Sequence, residues 1–390
     1  MKQIIAVTLM ILCCGIGAAV AQTAPETDRI MELERKVLAL EQMQLSTKKK
    51  DAQPEGEAAK VAQVTTLASK TLRIGGLLQP RYDFIEGGAK SHETSGFVVR
   101  RFSLILDGDL HDNVEYKVIT LFTSNSAALQ LLDAKVIFNN FGPSAVIEVG
   151  QVRSEGVDGQ APQKNQFIDY SNSSTTFRPS YDWDRGIIVR GLFLSQRLGY
   201  GAQLVNGNGT YSTRNDNICF RRGLFLQFDP LGPADPNTQN DLKYSRLRFG
   251  ARISVANSRD SDKVVGHQNI EWLASDVYVR AHGFYGKYTV ASQSVSANSG
   301  TLKDQSFWKV QAGLVFPVWL GHAAEPTLQY QVLNRDPHSA GMRERWFTIG
   351  TNYYLSGNIS KVQVNYIFKN EETPYKTKND TLQVMYTAVF

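Results

Sequence analysis

Thr381-Leu382-Gln383-Val384-Met385-Tyr386-Thr387-Ala388-Val389-Phe390 is the stretch whose reading decides the fold. Thr381, Gln383 and Thr387 fall on one side of an extended chain, and Leu382, Val384, Tyr386, Ala388 and Phe390 on the other. Successive side chains of a strand point to opposite faces, so one face is polar and the other apolar. The preceding segment repeats the pattern, with Lys361, Gln363 and Asn365 opposing Val362, Val364, Tyr366 and Phe368. Upstream, Arg246, Arg248, Arg252 and Ser254 oppose Leu247, Phe249, Ala251, Ile253 and Val255.

The same period of two runs through residues 71–390 and predicts about sixteen strands. Among them are 97–110, 243–255, 265–274, 276–290, 358–369 and 380–390. Their connections tend to alternate in length. Short ones are expected at His111-Asp112, Asn139 to Pro143, Gln196-Arg197, Ala274-Ser275 and Ser356-Gly357. Long ones are expected at 85–96, 153–184, 207–217, 291–304, 335–343 and 370–379. Short turns on one rim and long loops on the other are the habit of a transmembrane barrel. The stretch 229–242, with Pro230, Pro233 and Pro236, breaks the rhythm by being long where a short turn is due.

Such a barrel turns its apolar face to lipid and its polar face to water inside. Strands of about ten residues cross a membrane when tilted. Aromatics near strand ends, such as Tyr353 and Tyr354 or Tyr366 and Phe368, are expected to form interfacial girdles. The expected fold is all-β: a transmembrane antiparallel barrel with a short N-terminal periplasmic helix. Residues 1–21 read as an export signal, with Lys2 ahead of an apolar stretch and Ala19-Val20-Ala21 at the cleavage site. Cleavage after about Ala21 would remove Cys13 and Cys14 and leave Cys219 without a disulfide partner. Residues 22–70 form a helical segment and linker. Ile30, Leu33, Val37 and Leu40 share one face of a helix over 26–45, as a short coiled coil or an isolated amphipathic helix.

The 390 residues carry 42 basic and 37 acidic side chains, a net charge of +5. So small a bias makes placement decide ion preference, and no nucleic-acid partner is expected. Catalytic patterns are missing: His111, His267, His282, His322 and His338 have no metal-ligand spacing, and no nucleophile elbow or phosphate-binding loop occurs. Neither an enzyme, a cofactor nor a metal is expected. Alternation puts Arg101, Lys117, Lys135, Arg190, Arg246, Arg248, Arg252, Arg280, Lys309 and Lys361 on the polar face. Asp107, Asp109, Glu115, Asp133, Glu148 and Glu271 share it. These arginines and lysines either pass anions along the pore or pair across strands and brace the wall.

Arg100-Arg101-Phe102 leading into Leu106-Asp107-Gly108, then Tyr116-Lys117, Asp133-Ala134 and Gly150-Gln151-Val152, resemble the phosphate-selective porin (O and P) family. Gly350-Thr351-Asn352-Tyr353-Tyr354-Leu355, Val364-Asn365-Tyr366 and Leu382-Gln383-Val384 do so as well. The resemblance spans 71–390 and implies a trimeric outer-membrane channel for small anions such as phosphate or other polar solutes. It also implies a constriction loop, best matched by 153–184, with Arg153, Lys164, Arg178 and Arg185 beside Glu155, Asp158, Asp169, Asp182 and Asp184. The closing aromatic Phe390 resembles the signal read by the barrel-assembly machinery. A structural envelope anchor, or a transporter specific for another polar solute, is the alternative reading.

Overall fold

The computed structural model describes residues 62–65, 71–87, 93–123, 126–153, 162–168, 183–207, 215, 219–235, 237–262, 266–297, 302–335, 343–372 and 379–390. The expected signal and the helix over 26–45 lie outside them.

Sixteen long strands carry the fold. The first eight are β1 (Thr71–Ile85), β2 (Thr94–His111), β3 (Val114–Thr123), β4 (Ser126–Phe138), β5 (Val146–Arg153), β6 (Trp183–Phe193), β7 (Leu198–Val205) and β8 (Arg221–Phe228). The rest are β9 (Arg248–Asp262), β10 (Gly266–Ala281), β11 (Phe284–Ala297), β12 (Leu302–Leu314), β13 (Ala323–Asn334), β14 (Arg343–Ser356), β15 (Ser360–Glu371) and β16 (Thr381–Val389). Neighbours in sequence pair antiparallel, and β16 pairs with β1 by setting Leu382 against Phe84 and Val384 against Tyr82. The sheet therefore closes on itself and keeps no edge. Two short pieces are added to it: Ala62–Thr65 beside β1, and Phe316–Pro317 beside the start of β13.

The faces are inverted relative to a water-soluble protein. On β15, Lys361, Gln363 and Asn365 are buried, while Val364, Tyr366 and Phe368 are 36% to 43% exposed. On β16, Thr381, Gln383 and Thr387 are buried and Tyr386 is exposed. An apolar outer surface is costly in water and favourable in hydrocarbon, where a closed barrel also leaves no backbone group unpaired. The fold is that of a transmembrane antiparallel β-barrel. Outer aromatics meet across strands, with Trp308 5.3 Å from Tyr330 and Phe347 6.0 Å from Phe368. At the seam, the backbones of Phe390 and Gly76 exchange hydrogen bonds. The Phe390 ring lies over Gly76, where an added Cβ would stand 2.3 Å from it.

Several expectations are corrected. Ala274-Ser275 is not a turn: it lies inside β10, and the reversal comes at His282-Gly283. Both turn residues have positive φ, 50° and 91°, which Gly283 adopts without strain and Ala-Ser would not. The ninth strand begins at Arg248, so Arg246 sits exposed in the connection before it. Glu271 pairs with Asn257 on the outer face, because the buried Trp272 beside it points inward. Tyr353 and Tyr354 cannot share a girdle, since neighbours on a strand alternate; Tyr354 is buried inside the barrel.

Candidate functional site

The lumen is the site, and two segments fold into it from opposite rims. Residues 162–168 come from the long connection between β5 and β6. Asn165, Gln166, Phe167 and Ile168 are all buried there. They dock on β13 to β15. Lys361 Nζ donates to the Asn165 carbonyl at 2.7 Å. Gln363 Nε2 reaches the carbonyls of Asn165 and Gln166 at 3.2 and 3.1 Å. Asn365 accepts from the Ile168 amide at 3.3 Å. Glu325 is the hub of this contact. Its carboxylate accepts from Gln166 Nε2 at 2.8 Å, Asn352 Nδ2 at 2.8 Å and the Tyr354 hydroxyl at 2.5 Å. A buried carboxylate with three donors is held in place, whereas one without them would be expensive.

The second segment is 229–247, which leaves the short-turn rim between β8 and β9. Its Asp229 accepts from the Tyr278 hydroxyl at 2.7 Å, Gln227 Nε2 at 2.8 Å and the Ala234 amide at 3.2 Å. Burial pushes the Asp229 carboxyl above its ordinary value, and these hydrogen bonds oppose the rise. Gly250 faces it: a Cβ there would stand 1.9 Å from Asp229 Oδ1. Arg280 clamps the segment by donating to the carbonyls of Asp235 and Thr238, both at 2.8 Å. Asp241 closes it by accepting from the Ser245 and Gly283 amides.

The two segments meet. The Gln239 amide donates to the Lys164 carbonyl at 3.0 Å. Gln311 Nε2 on β12 donates to both Gln166 Oε1 at 2.9 Å and Gln239 Oε1 at 3.2 Å. Lys164 Nζ lies 4.0 Å from Asp235 Oδ2. One continuous strut therefore lies against β9 to β15. A cavity of about 390 Å³ remains toward β5 to β9, lined by Val146, Arg190, Phe225, Gln227, Asn237 and Arg252.

The sequence-derived basic residues are placed as follows. Lys135 Nζ lies 2.8 Å from Glu148 and 3.5 Å from Asp133, and Arg190 lies 3.1 Å from the same Glu148. Arg252 and Lys287 converge on Asp276 at 3.0 and 3.1 Å. Lys117 stands between Asp107 and Lys135 in register, and Arg101 opposite Gln79. Arg248 lies against Gly232 in the inward segment. Pairing thus braces the wall at Lys135, Arg190 and Arg252. A surplus of positive charge persists even so. On β9 to β12, Arg248, Arg252, Arg280, Lys287 and Lys309 face inward, with Asp276 the sole carboxylate among the described inward side chains.

Of the constriction-loop residues, only Lys164 is described in the loop. Arg153 ends β5, with its guanidinium 4.8 Å over the Trp183 ring. Arg185 lies within β6, where it alternates with the buried Asp184 and shares the outer face with Ile187. Arg178 falls outside the described residues. His282 occupies a turn rather than the Arg280 face. Sequence reasoning missed Gln166, Gln239, Gln311 and Glu325, and gave Asn352 and the polar-face Gln363 no part in this contact. The anomalous length of 229–242 pointed to the segment that carries Gln239, and the long connection 153–184 to the one that carries Gln166; no signal pointed to Gln311 or Glu325.

No family model matches the chain, and no curated protein matches its sequence. Solved structures do match. The anion-selective porin from Comamonas acidovorans has a TM-score of 0.61 at 10% identity, over 83% of this chain and 100% of that one. The outer membrane channel DcaP of Acinetobacter baumannii has a TM-score of 0.57 at 15% identity, over 85% and 100%. OprB of Pseudomonas putida has a TM-score of 0.56 at 12% identity, over 82% and 94%. At such identities the likeness is one of fold.

Proposed function

We propose that the protein is an outer-membrane channel for passive diffusion of small hydrophilic solutes, with a preference for anions such as phosphate. The observation that carries this is the inward positive surplus on β9 to β12 around a lumen already narrowed by the strut. Fixed positive charge in a confined, low-dielectric passage concentrates anions and repels cations. Two solved structures of like fold are a porin and a channel by name, which supports a diffusion role over an enzyme. In this reading residues 1–21 direct export and 26–45 lie in the periplasm. Phe390 serves assembly of the barrel, and three copies associate. The narrowing favours a selective passage for one class of solute over a wide general pore. Single-channel recording in planar bilayers tests it. Discrete conductance steps with an anion-side reversal potential in a salt gradient are expected. A protein that inserts but gives no steps fits the envelope-anchor alternative instead.

A further inference from the structure

The outer surface carries a pocket that the pore does not use. It lies where the apolar belt ends on the long-loop side of β12 to β14, with a volume of about 320 Å³. Its floor is Trp308, Tyr330 and Val332, and its upper edge is Asn334, Arg343 and Arg345. Register explains the grouping: Trp308 stands opposite Val332, Val332 opposite Arg345, and Asn334 opposite Arg343. All six side chains therefore share the outer face. Below them, Val310 and Leu328 are exposed apolar residues of the belt. Arg345 is paired with Glu372 at 2.7 Å. Among the described residues, no ion pair reaches the exposed Arg343.

An aromatic floor at the membrane boundary with guanidinium groups directly above is amphiphilic in one direction. Apolar chain can lie on Trp308 and Tyr330, while an anionic headgroup meets the arginines. Arginine presents several donors in a planar fork that matches phosphate oxygens. We propose that this pocket holds one anionic lipid of the leaflet on the long-loop side, its phosphate at Arg343 and Arg345 and an acyl chain over Trp308 and Tyr330. This rests on the membrane placement of the barrel, not on its channel activity. Glu372 neutralises part of Arg345, so Arg343 supplies most of the net attraction. A basic residue at a membrane surface raises anionic-lipid occupancy by about fivefold.

The test uses the full chain reconstituted in phosphatidylcholine vesicles. These hold a tenth or so of either phosphatidic acid or phosphatidylcholine brominated on the acyl chains. Quenching of Trp308 is isolated as the difference between the parent and Trp308→Phe. The brominated phosphatidic acid should act as though enriched about fivefold around Trp308. Arg343→Gln with Arg345→Gln should lower it to the phosphatidylcholine level. If the double variant fails to show heat-modifiable migration, Arg343→Gln alone carries the comparison. Equal quenching by the two lipids in the parent, or an excess that survives removal of Arg343, overturns the site. Lipid preference without conductance steps would strike the diffusion reading and leave the pocket standing. Failure of the barrel to enter vesicles would strike both.

Discussion

Replacing Gly250 by Ala should loosen the strut and widen the channel. The added methyl would sit 1.9 Å from Asp229 Oδ1 and 2.7 Å from the Tyr278 hydroxyl. Both atoms belong to the contact that anchors 229–247, so one of them must leave. Asp229 has the more movable position, because it lies on the connection while Tyr278 is fixed within β10. Its departure gives up the hydrogen bonds from Tyr278, Gln227 and Ala234. A hydrogen bond to a charged group contributes about 1.5–3 kcal/mol, and water recovers part of the loss. A net cost of about 2 kcal/mol shifts the balance between docked and released segment about 30-fold. The strand itself should tolerate Ala, so the barrel should keep its heat-modifiable migration. Single-channel recording should then show larger or fluctuating conductance. Asp229→Ala should mimic this, and adding Gly250→Ala to it should change little, since the two act through one contact. Unchanged conductance and solute exclusion in Gly250→Ala would refute the claim that 229–247 narrows the pore.

Three more outcomes are expected. Exchanging Arg248, Arg252 and Arg280 together for Gln should move reversal potentials toward cations, and the parent's anion preference should fade between about 0.01 and 1 M salt as the screening length shortens from roughly 30 to 3 Å. Arg246→Gln, outside the strand, should leave the reversal potential unmoved, which makes it the control. Gly76→Val drives a side chain into the Phe390 ring at the seam, so gels should show less heat-modifiable folded barrel in membranes and more degraded chain. The raised carboxyl of Asp229 means the docked segment binds a proton more tightly than the released one; lowering pH from the raised value toward the ordinary carboxylate value should favour docking and reduce conductance, and Asp229→Asn should abolish that pH response in the same recordings.

Local alternation made the barrel legible in the chain itself. Thr381 to Phe390 and Lys361 to Phe368 read as strands on one choice of faces, since polar and apolar residues alternate through them apart from Met385, Val389 and Ile367 on the polar side. Strand number and much of the rhythm of short and long connections followed from the same periodicity, but not the turn expected at Ala274-Ser275 or the long connection expected at 291–304, most of which lies within β11 and β12. Tertiary structure alone decided where each polar face pairs. Whether a lumenal arginine lines water or braces a wall depends on which carboxylate stands opposite, and Arg252 meets Asp276 from a strand 24 residues on. It also overturned positions that the sequence reading misassigned, placing Glu271 outside, Tyr354 inside and the reversal at His282-Gly283. Most of all, it decided the path of 229–247. Three prolines and unusual length mark this segment as no tight turn, but its course is set by Tyr278, Arg280, Gly250 and Gln311 on strands that follow it. Contacts made across a closed lumen join residues by register and curvature, and neither is written in the spacing of any one segment.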